Sequence, residues 1–212
     1  MSILSASPEP PLELPSKRLQ IAQAAEKLFL ANGYGAVSMD QVSRTANVSK
    51  ATLYAYFPSK DALFAAIMCD KGIDNPLGED LFPTVVSDLR AALEAIGFRM
   101  LRFMLRERTL AIYRIAIAES VRFPELGRAF YENGPVGMIS RFSDWLIMLE
   151  GAGLVEVNDR TMATHQFMAL MRCGVFLRRS LAIAPVETEE EVEQAVRAAA
   201  DTWLLAYGRQ RD

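Results

Sequence analysis

The stretch VSKATLYAYFPSK, residues 48–60, constrains the fold of this 212-residue chain more than any other. It reads as a helix, yet it cannot be a core helix. Leu53 and Phe57 stand four residues apart and make one apolar edge, the spacing of a single helix face. The remaining surface is Lys50, Ala51, Thr52, Tyr54, Ala55 and Tyr56, with Ser49 placed to cap the helix and Pro58 to end it. So short a helix is not stable alone, and its apolar edge must dock on a neighbour. That neighbour precedes it. Ser38 with Gln41 three residues on forms a capping box, opening a helix that closes near Ala46 and Asn47. Residues 38–57 therefore predict a helix-turn-helix, with Leu53 and Phe57 turned toward Val42 and Ala46.

The outward face suits the major groove of a duplex. Ala51 and Ala55 permit close approach and can meet a thymine methyl, while Ser49 and Lys50, near the helix start, can reach base edges. Thr52, Tyr54, Tyr56 and Lys60 can donate to phosphates, as can backbone N–H groups at helix N-termini, where Ser38 sits. Packing in a small bundle is an alternative for Tyr54 or Tyr56, but it does not explain why the whole face avoids acids. Charge agrees. Residues 16–60 hold Lys17, Arg18, Lys27, Arg44, Lys50 and Lys60 against Glu26 and Asp40, on a chain of formal net charge −3. A basic segment on an acidic protein is suited to a polyanion. Asp40 either favours the helix N-terminus or accepts from a cytosine amino group.

Elsewhere the pattern is helical, with no sustained period-two alternation, and it predicts an all-α chain of about nine helices. The first runs from Ser16 to Ala31, with Ala22, Ala25, Leu28 and Phe29 inward, and stops at Asn32 and Gly33. A fourth runs from Ser59 to about Gly72. DNPLGEDLFP (74–83) reads as a domain boundary. Beyond it, helices are expected over 84–105 and 109–121, apolar almost all round and so buried, then over 124–133, 135–150 and 159–181. The last opens at a capping box, Thr188 with Glu191, and carries Val192, Val196, Ala199, Trp203 and Tyr207 on one face. Three regions result: a proline-bearing arm over 1–15, a DNA-binding domain over 16–73, and a second helical domain over 74–212.

Composition excludes several classes. Hydrophobic residues are 51% and charged residues 23%, a globular balance. No apolar run reaches the ~18 residues of a membrane span; the densest, IGFRMLRFML (96–105), is broken by Arg99 and Arg102. The N-terminus lacks the charge and apolar core of a secretory signal. Cys69 and Cys173 make no disulfide framework, and the sequon-like Asn47, Val48, Ser49 is a chance match. The expected location is the cytoplasm. No Gly-rich phosphate loop, HExxH, nucleophile elbow or paired carboxylates appear, so neither enzymatic activity nor a cofactor is expected. His165, the single histidine, offers no metal site.

VSMDQVSRTANVSKATLYAYFPSKDALF (37–64), preceded by IAQAAEKLFLANGYGAVS (21–38), resembles the DNA-binding segment of the TetR family of bacterial transcriptional regulators. Ala51 stands where that family often has glycine, and Val42-Ser43 replaces its more usual Ile-Ala. YRIAIAESVRFPELGRAFYENGP (113–135) is similar to the C-terminal domain of the AefR-like subgroup. The resemblance implies a ligand-responsive regulator that binds double-stranded operator DNA as a homodimer, a repressor released by a small apolar or amphipathic inducer. It also implies that the fourth helix links the two domains. An activator of the same fold, or an all-α carrier or enzyme without DNA binding, is the alternative.

The resemblance places a ligand cavity in the second domain and the dimer on the last two helices. The expected lining is Met100, Phe103, Met104, Tyr113, Ile117, Phe142, Trp145, Phe167, Met168 and Met171, whose methionines would adapt to a guest; plain core is the alternative. FMALMRCGVFL (167–177) is apolar on more than one side and needs covering. A four-helix interface of two copies would supply it, through Phe176, Leu177, Leu181, Val192, Val196, Ala199 and Trp203.

Overall fold

Side-chain oxygens set the helix starts of the N-terminal region. The computed structural model describes residues 16–69, 77–183, 186 and 188–209; the expected arm over 1–15, the helix end toward Gly72 and the start of the 74–83 boundary lie outside them. α1 (Lys17–Asn32) begins behind Ser16, whose hydroxyl accepts from the Leu19 N–H, and Gly33 at φ 80° turns the chain. α2 (Met39–Thr45) carries the expected capping box: the Gln41 N–H donates to Ser38 Oγ at 3.2 Å and the Ser38 N–H to Gln41 Oε1 at 2.7 Å. Asn47 makes the turn at φ 50°, a left-handed conformation that asparagine tolerates. α3 (Lys50–Tyr56) is capped by Ser49, and α4 (Lys60–Cys69) by Ser59, which accepts from the Ala62 N–H.

The second region starts at η1, a single 3-10 turn over Glu79–Leu81. α5 (Leu89–Leu105) begins behind the N-cap Asp88, later than expected, and α6 (Glu107–Glu119) follows after Arg106 alone. α7 (Pro124–Asn133) and α8 (Pro135–Gly151) each open on a proline, which fits a position whose N–H has no helical partner. The single helix expected over 159–181 is two, α9 (Arg160–Met171) and α10 (Val175–Ser180). Gly174, at φ 75°, breaks it. α11 (Glu189–Tyr207) starts at the Thr188–Glu191 capping box. The described residues are thus all-α, joined by one isolated β-bridge between Val155 and Gly208.

Two large cores result. One joins α1–α4 and takes in Ile112 of α6 and Leu126 of α7, so the core of the N-terminal helices is completed by the helices behind them. The other is built by α5, α8, α9 and α11 around Phe142, Phe167 and Trp203. A smaller cluster of Leu101, Leu105, Val175, Val192 and Val196 extends it. This corrects the dimer expectation for α11. Val192, Val196, Ala199 and Trp203 are all buried within one subunit, because α11 lies along α5 and α9 of its own chain. α6 is also not covered all round, since Ile117 is 60% exposed.

Candidate nucleic-acid interface

Docking of α3 on α2 decides which side chains face outward. Leu53 and Phe57 are buried with Val42 and Ala46, while Ser49, Lys50, Ala51, Tyr54, Ala55 and Tyr56 are exposed. α1 steadies the pair, the Gln20 side chain donating to the Ala46 carbonyl at 2.6 Å. Tyr54 and Tyr56 are 48% and 44% exposed, and neither belongs to the buried core. Thr52 is half-buried; its N–H donates to Ser49 Oγ, and the two hydroxyls stand 2.8 Å apart. Lys50 reaches across to Asp40, its ammonium 2.6 Å from the carboxylate. The first turns of α2 and α3 are therefore neighbours; Ser38, Ser49, Lys50, Ala51, Tyr54 and Tyr56 are exposed and Thr52 half-buried.

Lys60 has a different task from the expected phosphate contact. Its ammonium donates to the carbonyls of Tyr34 at 2.6 Å and Val37 at 2.8 Å, and lies 4.1 Å from the Tyr34 ring centroid. The turn between α1 and α2 leaves these carbonyls facing α4, within reach of the lysine stem. Burial pushes the Lys60 pKa below its ordinary value, while the Glu119 and Glu125 carboxylates pull it up. Burial also holds the Tyr34 phenol above the ordinary tyrosine range, helped by the charges of Asp61, Glu125 and Glu119. Lys60→Ala is expected to cost ~1.5–3 kcal/mol, the worth of hydrogen bonds from a charged donor, in urea denaturation. The salt dependence of DNA binding should stay as in the native protein; a slope shallower by ~0.9 per subunit would make Lys60 a phosphate contact after all.

α6 ties the two regions at both its ends. Glu119 accepts from the Tyr34 N–H at 2.5 Å and the Gly35 N–H at 2.6 Å, one bond to each carboxylate oxygen. At the other end Arg108 forms a two-bond ion pair with Glu26 of α1, at 2.6 and 3.0 Å, and donates to the Ile67 carbonyl of α4. Gly35 permits the approach, since a Cβ there would stand 2.8 Å from Glu119 Oε2. α4, the link that the family resemblance implied, does pack on α7, but these charged ties come from α6. The available signal was a lone acid in the apolar helix 109–121 and the pair Gly33, Gly35.

The candidate ligand residues divide into two groups. Met100, Phe142, Trp145, Phe167, Met168 and Met171 are buried in the second core. There Phe142 lies 5.6 Å from Trp145 and 5.4 Å from Phe167, ring centre to ring centre, and the Trp145 indole donates to the Pro83 carbonyl. Phe103, Met104 and Tyr113 are only partly buried. Tyr113 belongs to another cluster, 6.0 Å from Phe130 and 5.1 Å from Phe176, between α6, α7 and α10. Ile117 faces solvent and belongs to neither group. An open groove of about 760 Å³, lined by Leu89, Arg90, Leu154, Asp201, Leu204 and Leu205 among others, contains none of the expected residues. Of the expected dimer residues, Leu177 and Leu181 are exposed and Phe176 is half-buried. A second groove, between α9 and α11, is lined by Gln166, Ala169, Leu170, Thr202 and Ala206 with parts of Trp203 and Tyr207. Among the described residues no group of three or more His, Cys, Asp or Glu is placed to hold a metal.

Residues 21–67 match the family of bacterial regulatory proteins called tetR, and residues 91–209 match the C-terminal domain of AefR-like transcriptional repressors. The flavonoid-responsive regulator FrrA is 36% identical in its solved structure, with a TM-score of 0.79 over 93% of this chain and 100% of that one. A TetR family transcriptional regulator from Pseudomonas syringae pv. tomato str. DC3000 is 26% identical, with a TM-score of 0.71 over 93% and 100%. The HTH-type transcriptional activator FasR of Mycolicibacterium smegmatis is 36% identical over 77 residues, which are 36% of this chain and 31% of FasR. Across three curated relatives the match spans 25% to 45% of their length.

Proposed function

This chain belongs to the TetR family of bacterial transcriptional regulators, and on that premise we propose that it is a repressor, released from its operator by a small amphipathic ligand. The observation that carries the reading is the exposed face of α3, where Lys50, Ala51, Tyr54 and Tyr56 stand clear of a buried Leu53 and Phe57. In a homodimer two such helices would enter successive major grooves, ~34 Å apart. The C-terminal match to AefR-like repressors supports the sign of regulation. Its site of action would be the cytoplasm, and no helix among the described residues is long and apolar enough to cross a membrane.

The small Ala169, Thr202 and Ala206 of the groove between α9 and α11 suit a close helix contact with a second copy, continued by exposed Leu177 and Leu181. For the ligand, the partly buried cluster of Tyr113, Phe130 and Phe176 offers aromatic faces. The likeness to FrrA, a flavonoid-responsive protein, supports an aromatic, amphipathic guest. Binding there would bear on α6, which carries Tyr113 on one side and its two anchors to the DNA-binding domain at its ends. A ligand preferring one setting of α6 would shift the equilibrium by ~1–3 kcal/mol of coupling.

Fluorescence anisotropy with duplexes flanking the protein's own gene tests this. Binding should survive excess random DNA and weaken at least ~tenfold between ~50 and ~200 mM salt, as phosphate neutralisation requires. Binding to every one of these duplexes no tighter than to random DNA, with little salt dependence, would sink the reading.

A further inference from the structure

The Asp40–Lys50 pair assigns a task to a carboxylate that lies where a DNA-binding surface should be positive. Lys50 is the first residue of α3 and Asp40 lies in the first turn of α2. Their side chains meet at 2.6 Å although 64% and 46% exposed, so neither is forced into the contact by burial. A lysine on a flexible four-carbon stem, left alone at this edge, would sweep a wide arc and settle on whichever phosphate came near. Held by Asp40, its ammonium keeps one place between the two helix starts and retains two further N–H donors. Two donors at a fixed point match the paired O6 and N7 acceptors of guanine. The carboxylate also repels phosphates, weakening attachment to any sequence alike.

We propose that Asp40 is a specificity-determining residue of the DNA interface. It positions Lys50 to read one base pair, a guanine being the fit, and lowers binding to non-operator DNA. This rests on the reading of α3 as the DNA-contacting helix. It differs from the two roles open to Asp40 in the sequence, since the carboxylate acts through Lys50 and touches no base.

The test is selection from random duplexes of about one to two helical turns per half-site, using the full-length protein and the variants Asp40→Asn, Asp40→Glu and Lys50→Gln. Native protein should enrich a two-fold symmetric motif. Asp40→Asn should enrich the same motif with preference at one base pair per half-site reduced about tenfold. Its affinity for random duplex should rise, and its salt slope should steepen by about 0.9 per subunit as Lys50 turns to a phosphate. Lys50→Gln should lose preference at that same base pair, and Asp40→Glu, which can keep the ion pair, should retain it. An unchanged motif in Asp40→Asn, or losses at different base pairs in the Asp40 and Lys50 variants, would overturn the proposal while leaving α3 as the reading helix. Failure of the native protein to enrich any motif would instead remove the DNA-binding reading on which it stands. A melting curve for each variant separates these results from unfolding.

Discussion

Trp203→Ala is expected to lower the stability of this protein by ~3–5 kcal/mol, the range for deleting a large aromatic from a packed core. The indole is 1% exposed. Its ring lies 6.3 Å from Phe167 and 5.0 Å from Tyr207, and its N–H donates to the Ala163 carbonyl at 2.9 Å. Truncation therefore opens a cavity and removes a second, interhelical hydrogen bond to a helix carbonyl, the cavity being the larger cost. Urea denaturation at two protein concentrations is the measurement. If Trp203 is core, the loss relative to native protein is the same at both. A loss below ~1 kcal/mol, accompanied by weaker self-association, would return Trp203 to the subunit interface.

Glu119→Ala should have the second largest effect, and a more local one. Two amides, those of Tyr34 and Gly35, lose a charged acceptor, a loss of ~1.5–3 kcal/mol in this partly solvated turn. Their hydrogen exchange should quicken by ~10–100-fold, while that of the second core changes little. Operator affinity should fall about tenfold, because the freed turn also carries the carbonyls that hold Lys60 and leads directly into Ser38 at the start of α2. Glu119→Gln, which keeps the length and one good acceptor, should lie between. Exchange at Tyr34 and Gly35 unchanged in the alanine variant would mean that α6 does not hold this turn.

These two residues also show where local reasoning stops. Trp203 lies on a stripe with Val192, Val196 and Ala199 that is plain in the sequence. A stripe states which face is covered, not what covers it, and here the cover is α5 and α9 of the same chain. Glu119 was visible as an odd acid in an apolar helix. Its partners lie 84 and 85 residues away, and no spacing rule spans that distance. Lys60 combines both problems: it sits beside a helix start where phosphate contacts are reasonable, yet carbonyls 23 and 26 residues earlier take its donors. The break between α9 and α10 was hidden differently, because apolar residues continue on both sides of Gly174 while its backbone turns left-handed.

What the sequence determined by itself was a set of interactions that close within a few residues. The capping oxygens of Ser16, Ser38, Ser49 and Thr188 start their helices at the expected places, and the Leu53–Phe57 edge decides which face of α3 is left for DNA. Such interactions close within one helical turn, so their partners are read directly from neighbouring letters. Tertiary structure alone decided the rest: that α6 clasps the α1–α2 turn, that Lys60 faces inward, that Asp40 holds Lys50, and that α11 spends its stripe on its own subunit. In each case the energy depends on where a charge or a ring finds a complementary group after long loops have closed, and many pairings satisfy the same pattern of residues until packing selects one.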